Sequence, residues 1–215
     1  MEQEQQHNCW QCGSADAGSL FCRYCNSLQE PVPDYYAFFG LPRKLSIDTG
    51  DLQNRFYSLS RLLHPDRFTR RSEQERRYSL EASSILNDAY RVLRDPIRRA
   101  EYVLKQAGYE IGEQRSKDVP PELLEEVFDL NMALDELRMG DGDVLGDLDQ
   151  MRRRFLAMLA GLDSELEEKF RQHDGSPDEG GRAAALEEIQ RALHRRRYIR
   201  NLVNEVDRQL SARNA

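Results

Sequence analysis

Apolar residues recur along this chain three and four positions apart, in stretches set off by Gly, Pro and Asp, which is the period of amphipathic helices rather than strands. Leu52, Phe56, Leu59 and Leu63 share one face of a helix that Asp48 caps and that stops at His64-Pro65. Ser72, with Glu75 three residues on, forms a capping box for the next helix, on which Tyr78, Ala82, Ile85, Ala89 and Val92 make the matching stripe. The two stripes predict an antiparallel hairpin. Ahead of it, Asp34 caps a short helix of core aromatics, Tyr35, Tyr36, Phe38 and Phe39, which Gly40 and Pro42 end. After it, Asp95-Pro96 starts a fourth helix through Ala100, Tyr102, Val103 and Leu104, stopped by Gly108.

A polar segment from Tyr109 to Val119, holding Gly112, separates these elements from three longer helical stretches, about Pro121 to Met139, Val144 to Phe170 and Arg182 to Ser211. The turns between them are Gly140-Asp141-Gly142-Asp143 and the run from His173 to Gly181. Long amphipathic helices joined this way predict a three-helix bundle. In the first of them Leu123, Val127, Leu130, Leu134 and Leu137 form a core stripe. Leu124, Phe128 and Met132 fall well around the helix from that stripe and should face solvent or a partner. In the last helix Ile189, Leu193, Ile199, Val203 and Leu210 share a broad face, with Tyr198 on nearly the opposite side, where it can join the same surface. The alternative is that these residues complete the bundle or lean on the preceding domain. The fold class is therefore all-α, divided as residues 1–30, 31–110 and 111–215.

Composition narrows the functional classes. The 215 residues are 32% charged and 39% hydrophobic, as in a helix-rich soluble chain. No run approaches the roughly 18 apolar residues that a membrane-spanning helix needs. The start, Met1-Glu2-Gln3-Glu4-Gln5-Gln6, has neither an apolar signal nor an Arg-rich leader, so a cytoplasmic location is expected, or the mitochondrial matrix if a leader has been removed. A net charge of -7 argues against generic nucleic-acid binding, although basic clusters occur around Arg55, Arg61, Arg67, Arg70 and Arg71, and from Arg191 to Arg200. There is no phosphate-binding Gly-x4-Gly-Lys-Ser/Thr loop and no His-Glu-x2-His. Gly140, Gly142 and Gly146 miss the dinucleotide spacing by one residue.

All four cysteines lie near the start, as Cys9-x2-Cys12 and Cys22-x2-Cys25. Two such turns can close a tetrahedral four-sulfur site, which leaves no position for water and is therefore structural. Zinc is the expected ion; iron in the same cage and two disulfides are the competing readings. A segment this small cannot bury enough apolar surface to fold unaided, so the metal serves as its core. His7 is a bystander to a site already saturated by thiolates. Gln29-Glu30-Pro31-Val32-Pro33 reads as a short stiff linker to the next domain.

Three stretches carry a resemblance. They are Tyr35-Tyr36-Ala37-Phe38-Phe39-Gly40-Leu41-Pro42, Leu63-His64-Pro65-Asp66-Arg67-Phe68, and Asn87-Asp88-Ala89-Tyr90 through Asp95-Pro96 to Arg99-Ala100-Glu101-Tyr102. With them the chain resembles, over about residues 34 to 215, J-domain co-chaperones and more narrowly the HscB family that serves iron-sulfur cluster biogenesis. The tetracysteine extension is like that of the eukaryotic members. The resemblance implies that His64, Pro65 and Asp66, with Arg55, Arg61 and Arg67, engage a DnaK/HscA-type chaperone and stimulate its ATPase, the chain itself being no enzyme. It also implies that Leu124, Phe128, Asp129, Met132 and Tyr198 hold an IscU-type cluster scaffold. Glu125 and Met132 depart from the family pattern, where an apolar residue and an acid are expected. Six acids and one Arg between Glu122 and Arg138 favour a partner with a basic rim. Three other readings stay open: a J-protein with another client, a zinc-ribbon nucleic-acid binder and a thiol redox protein.

Overall fold

A computed structural model describes residues 7–16, 19–110, 119–140 and 142–213. Most of the polar segment from Tyr109 to Val119, with Gly112, and Asp141 of the following turn lie outside the described residues. The chain packs as two units, Met1–Arg99 and Ala100–Ala215. The all-α class holds for both. Among the described residues, strand pairing is confined to the tetracysteine module, where β1 (His7–Asn8) pairs antiparallel with β2 (Ala15–Asp16) and Phe21 bridges to Leu28.

In the first unit, α1 (Tyr35–Phe39) starts on the Asp34 carboxylate, which accepts the Ala37 amide at 2.9 Å, and ends at Gly40 with φ +62°. That left-handed turn is where a side chain would be strained. Tyr36, Phe38 and Phe39 are buried core residues as expected, whereas Tyr35 of the same predicted set is only half-buried. Asp48 caps α2 (Thr49–Leu63) by accepting from Gly50 and Asp51 at 2.8 and 3.1 Å. Helix α3 (Glu73–Leu93) begins at Ser72 and packs along α2 as the expected hairpin, with α1 lying against α3 as well.

The buried line of α3 is Tyr78, Ala82, Leu86, Ala89 and Leu93; Ile85 and Val92 of the predicted stripe are only half-buried. The reason is that α3 is covered by α1 as well as α2, which turns the buried arc toward Leu86 and Leu93. Phe56, half-buried on α2, stacks on Tyr90 with ring centroids 4.3 Å apart. Helix α4 (Pro96–Gln106) starts on Asp95, which accepts from Ile97 at 2.9 Å and Arg98 at 3.0 Å, and spans the division between the units. Arg99 is 5% exposed, yet its guanidinium is satisfied by the Leu45 carbonyl at 2.7 Å and the Leu93 carbonyl.

The second unit contains a 3₁₀ turn (Pro121–Leu123), α5 (Leu124–Arg138), α6 (Leu145–Gly175) and α7 (Glu179–Arg213). Leu123, Leu130 and Leu134 meet Leu148, Phe155 and Leu162 of α6 and Ile199, Val203 and Val206 of α7 in one core. The turn between α6 and α7 is shorter than the run His173 to Gly181 suggests. His173 is buried, bonds Asp174 at 3.0 Å and keeps the last turn of α6 helical, while the Asp178 carboxylate accepts the Gly181 amide at 2.7 Å and starts α7 within that run.

Candidate functional site

The four cysteine sulfurs lie within 4.8 Å of one another. Each Cys-x2-Cys pair opens the same turn: Cys9 donates its amide to Ser14 and accepts from Gly13, and Cys22 does the same with Ser27 and Asn26, all at 2.8 to 2.9 Å. Gly13 at φ +72° and Asn26 at φ +57° supply the left-handed residue that each turn needs. The amides of Gln11 and Tyr24 reach the sulfurs of Cys9 and Cys22 at 3.4 Å. Sulfurs of Cys9 and Cys25 are 3.6 Å apart, and those of Cys12 and Cys22 3.8 Å. A disulfide needs about 2.05 Å, whereas a tetrahedron with metal–sulfur bonds of about 2.3 Å has edges near 3.8 Å. The four residues therefore fit a metal ion.

The electrostatics agree. Burial pushes the Cys9 thiol up, but Ser27 and the amides of Cys12 and Gln11 outweigh it and hold it at about 5. Hydrogen bonds from Ser14 hold Cys12 below the usual thiol range. The Cys25 amide pulls Cys22 down, yet burial and the sulfurs of Cys25 and Cys9 prevail and push it up to about 12. Without a cation the sulfurs resist sharing charge at this spacing; a dication removes that conflict.

Within the first unit the module is packed against α3. The Trp10 indole N–H donates to the Leu28 carbonyl at 2.8 Å, and its ring meets Tyr78 of α3 edge-on at 6.3 Å. Leu28 is fully buried, and its amide donates to the Glu75 carboxylate at 3.4 Å. Glu75 therefore does not complete the capping box on the Ser72 amide: one oxygen takes the Ser72 hydroxyl at 3.2 Å and the other takes Leu28. Sequence reasoning missed this junction. The available signals were the chain's only Trp, placed between two cysteines that do not need it, and Ser79, a polar residue next to the α3 stripe.

His64 ends α2 and opens a 3₁₀ turn (Pro65–Phe68). Its Nδ1 accepts the Asp66 amide at 3.3 Å, which leaves the ring proton on Nε2, and the side chains of His64 and Asp66 are 57% and 86% exposed. Phe68 is buried beneath the turn, and Ser79 and Ser83 of α3 donate to the Leu63 carbonyl at 2.6 and 3.3 Å, fixing the backbone just before His64. Arg61 and Arg67 are exposed beside it, and Pro65 is half-buried. Arg55 is separated from this group. Its guanidinium bonds Asp51 at 2.8 Å and the carbonyls of Phe39 and Gly40 at 3.1 and 3.3 Å, bracing α1 against α2.

On α5, Leu124, Phe128 and Met132 are 56%, 64% and 49% exposed and form the ridge that their spacing predicts, while Leu123, Leu130 and Leu134 point into the core. Asp129 and Met132 border a groove of about 350 Å³ between α5 and α6, in which Arg154 pairs with Glu126 at 2.8 Å. Tyr198 is placed differently from the expectation. It is half-buried and packs on the bundle core, and burial pushes its phenol up from its ordinary value. The wheel misplaced it because α7 is flanked on more than one side there, with Arg195, Arg196 and Arg197 paired to Glu165, Asp163 and Glu101. Those pairs also engage much of the basic run proposed for nucleic acid.

A helical hairpin with His-Pro-Asp at its turn, followed by a three-helix bundle with an apolar ridge, is the build of a J-domain co-chaperone. Residues 34–102 match the DnaJ domain, and residues 119–207 match the HSCB C-terminal oligomerisation domain. The chain is 31% identical to the iron-sulfur cluster co-chaperone protein HscB homolog of Arabidopsis thaliana, over 94% of this chain and 74% of that protein. It is 29% identical to the mouse iron-sulfur cluster co-chaperone protein HscB, over 92% of this chain and 80% of that one. The crystal structure of human co-chaperone protein HscB superposes with a TM-score of 0.71 at 29% identity, covering 94% of this chain and 97% of that one. This chain belongs to the HscB family of iron-sulfur cluster co-chaperones. Among the described residues, no helix is long and apolar enough to cross a membrane.

Proposed function

We propose that the chain binds an IscU-type scaffold on the α5 ridge, carries it to a DnaK/HscA-type chaperone and stimulates that chaperone's ATPase through the loop at His64. The observation that carries this reading is the pair of separate exposed features: Leu124, Phe128 and Met132 in one row on α5, and His64 with Asp66 at the tip of the α2–α3 hairpin. Leu124, Phe128 and Met132 supply apolar contact, Asp129 adds negative charge at the ridge edge, and Tyr198 contributes as a support beneath the surface. His64, Pro65 and Asp66 form the chaperone contact, with Arg61 and Arg67 offering charge to an acidic partner; Arg55 contributes by holding α1 against α2.

Because both contacts are carried on one chain, holding the scaffold turns its meeting with the chaperone into a nearly intramolecular event. Effective concentrations in the millimolar range are typical of such tethers, so two modest affinities suffice. The four cysteines hold structural zinc in a compartment where thiols remain reduced, the cytoplasm or the mitochondrial matrix. The test separates the ends. Phe128→Ala should weaken scaffold binding at least tenfold, about 1.4 kcal/mol or more, and leave basal stimulation of the chaperone intact. His64→Gln should abolish stimulation and leave the scaffold titration unchanged. An unaltered titration for Phe128→Ala removes the ridge from the reading.

A further inference from the structure

The tetracysteine module and the chaperone-facing loop are built on the same two turns of α3. Glu75 stands in the first turn, 4% exposed, with one carboxylate oxygen on the Leu28 amide and the other on the Ser72 hydroxyl. One turn later on the same face, Ser79 is fully buried and donates to the Leu63 carbonyl at 2.6 Å, one residue before His64. Between them Tyr78 packs edge-on to Trp10, whose indole holds the Leu28 carbonyl. Both polar groups of the Leu28 backbone are thus engaged at this junction, one by the module and one by α3.

We infer that Glu75 is a positioning residue through which the metal-bound module fixes the start of α3, and with it the loop that presents His64 and Asp66. A buried carboxylate is tolerated only while its partners stay in place. If the module loosens, Leu28 leaves, Glu75 loses an amide donor, and the first turns of α3 lose the contact that orders them. The Ser79 bond to Leu63 then holds a less constrained backbone. Linkage makes the effect reciprocal: the factor by which bound metal favours the ordered start of α3 is the factor by which that ordered start, which Glu75 helps to hold, favours metal binding. The metal thereby influences chaperone engagement while remaining remote from His64 in sequence.

The inference rests on the reading that the cysteines bind zinc, and the experiment separates the two. Zinc affinity of the full-length chain is measured by competition with a chromophoric chelator. Glu75→Ala should raise the zinc Kd about tenfold, within the usual range of coupling between sites. Glu75→Gln keeps an acceptor for Leu28 and should recover most of the loss, whereas Glu75→Met, which fills the same space without an acceptor, should not. A wild-type chain that takes up no zinc overturns the metal reading and the inference with it. Tight zinc binding that is equal in wild type, Glu75→Ala and Glu75→Met overturns the inference alone. If Glu75→Ala does not fold, hydrogen exchange of the wild-type chain decides. Removing zinc should speed exchange in residues 63–80 together with the module and leave Leu145–Gly175 unchanged; unchanged protection at 63–80 refutes the coupling.

Discussion

The two units solve the same problem with different means. The bundle is made of helices of 15, 31 and 35 residues, long enough to bury continuous stripes such as Leu148, Phe155, Leu162 and Leu166 against Ile189, Ile199 and Val206. The first unit has helices of 5, 15 and 21 residues and ahead of them a module whose buried side chains are little more than Cys9, Cys22, Ser27 and Leu28. Short elements cannot supply enough apolar area, so polar cross-links take over: Glu75 on Leu28, Arg99 on Leu45 and Leu93, and Ser79 on Leu63, with four clustered cysteine sulfurs placed where a metal ion fits. The bundle presents its exposed apolar side chains Leu124, Phe128 and Met132 as one row on α5, whereas those of the first unit, Tyr24, Tyr57 and Leu80 among them, are scattered over separate elements.

With zinc bound at the four cysteines as proposed, its removal should break this contrast most strongly. Structural zinc in small modules contributes about 10–16 kcal/mol of apparent binding energy, so chelation, or Cys22→Ser, should unfold residues 7–28 and destabilise the first unit, while helical signal and hydrogen-exchange protection from the bundle persist. Loss of both units together would show that their stabilities are not separate. Affinity for zinc should also fall with decreasing pH, because protons compete for the sulfurs. Next in size is Phe155→Ala, which empties a fully buried position of the bundle core and should cost about 3–5 kcal/mol in urea unfolding of the second unit, with scaffold binding lost as the α5 ridge is displaced.

A smaller effect is expected at Ser79→Ala. Deleting the hydroxyl leaves the Leu63 carbonyl to Ser83 and should cost about 1 kcal/mol of first-unit stability, with a partial fall in chaperone stimulation and no change in scaffold affinity. The smallest concerns His194 in α7, held below its ordinary value first by burial and then by the charge of Arg197. The unfolded chain therefore binds this proton more readily than the folded one. The bundle's stability is full above the ordinary histidine value, about 6.5, and falls as pH drops below it toward the lowered value. His194→Gln should flatten that slope in denaturation midpoints measured from pH 7 to 5.

Much of this was legible in the chain because local chemistry and tertiary demand agree. Asp34, Asp48, Ser72 and Asp95 start helices in the structure as their positions before apolar-periodic runs predict. The ridge on α5 was readable for a similar reason: a helix wheel is reliable where only one face is covered, and Leu124, Phe128 and Met132 lie away from it. The wheel failed where a helix is covered on more than one side. On α3 the core moved to Leu86 and Leu93, and on α7 Tyr198 turned inward beside arginines paired to neighbouring helices.

The sequence by itself determined the helices and their caps, the four-sulfur site, the His-Pro-Asp turn and the row of surplus apolar residues, since each depends on residues close together along the chain. Tertiary structure alone decided which acids and arginines act over long range. Glu75 meets Leu28 and Arg99 meets Leu45 across 47 and 54 positions, and Arg55 braces α1 and α2 instead of joining His64. Period and spacing carry no record of such partners, because a polar side chain's role is set by which unsatisfied backbone group folding brings within its reach.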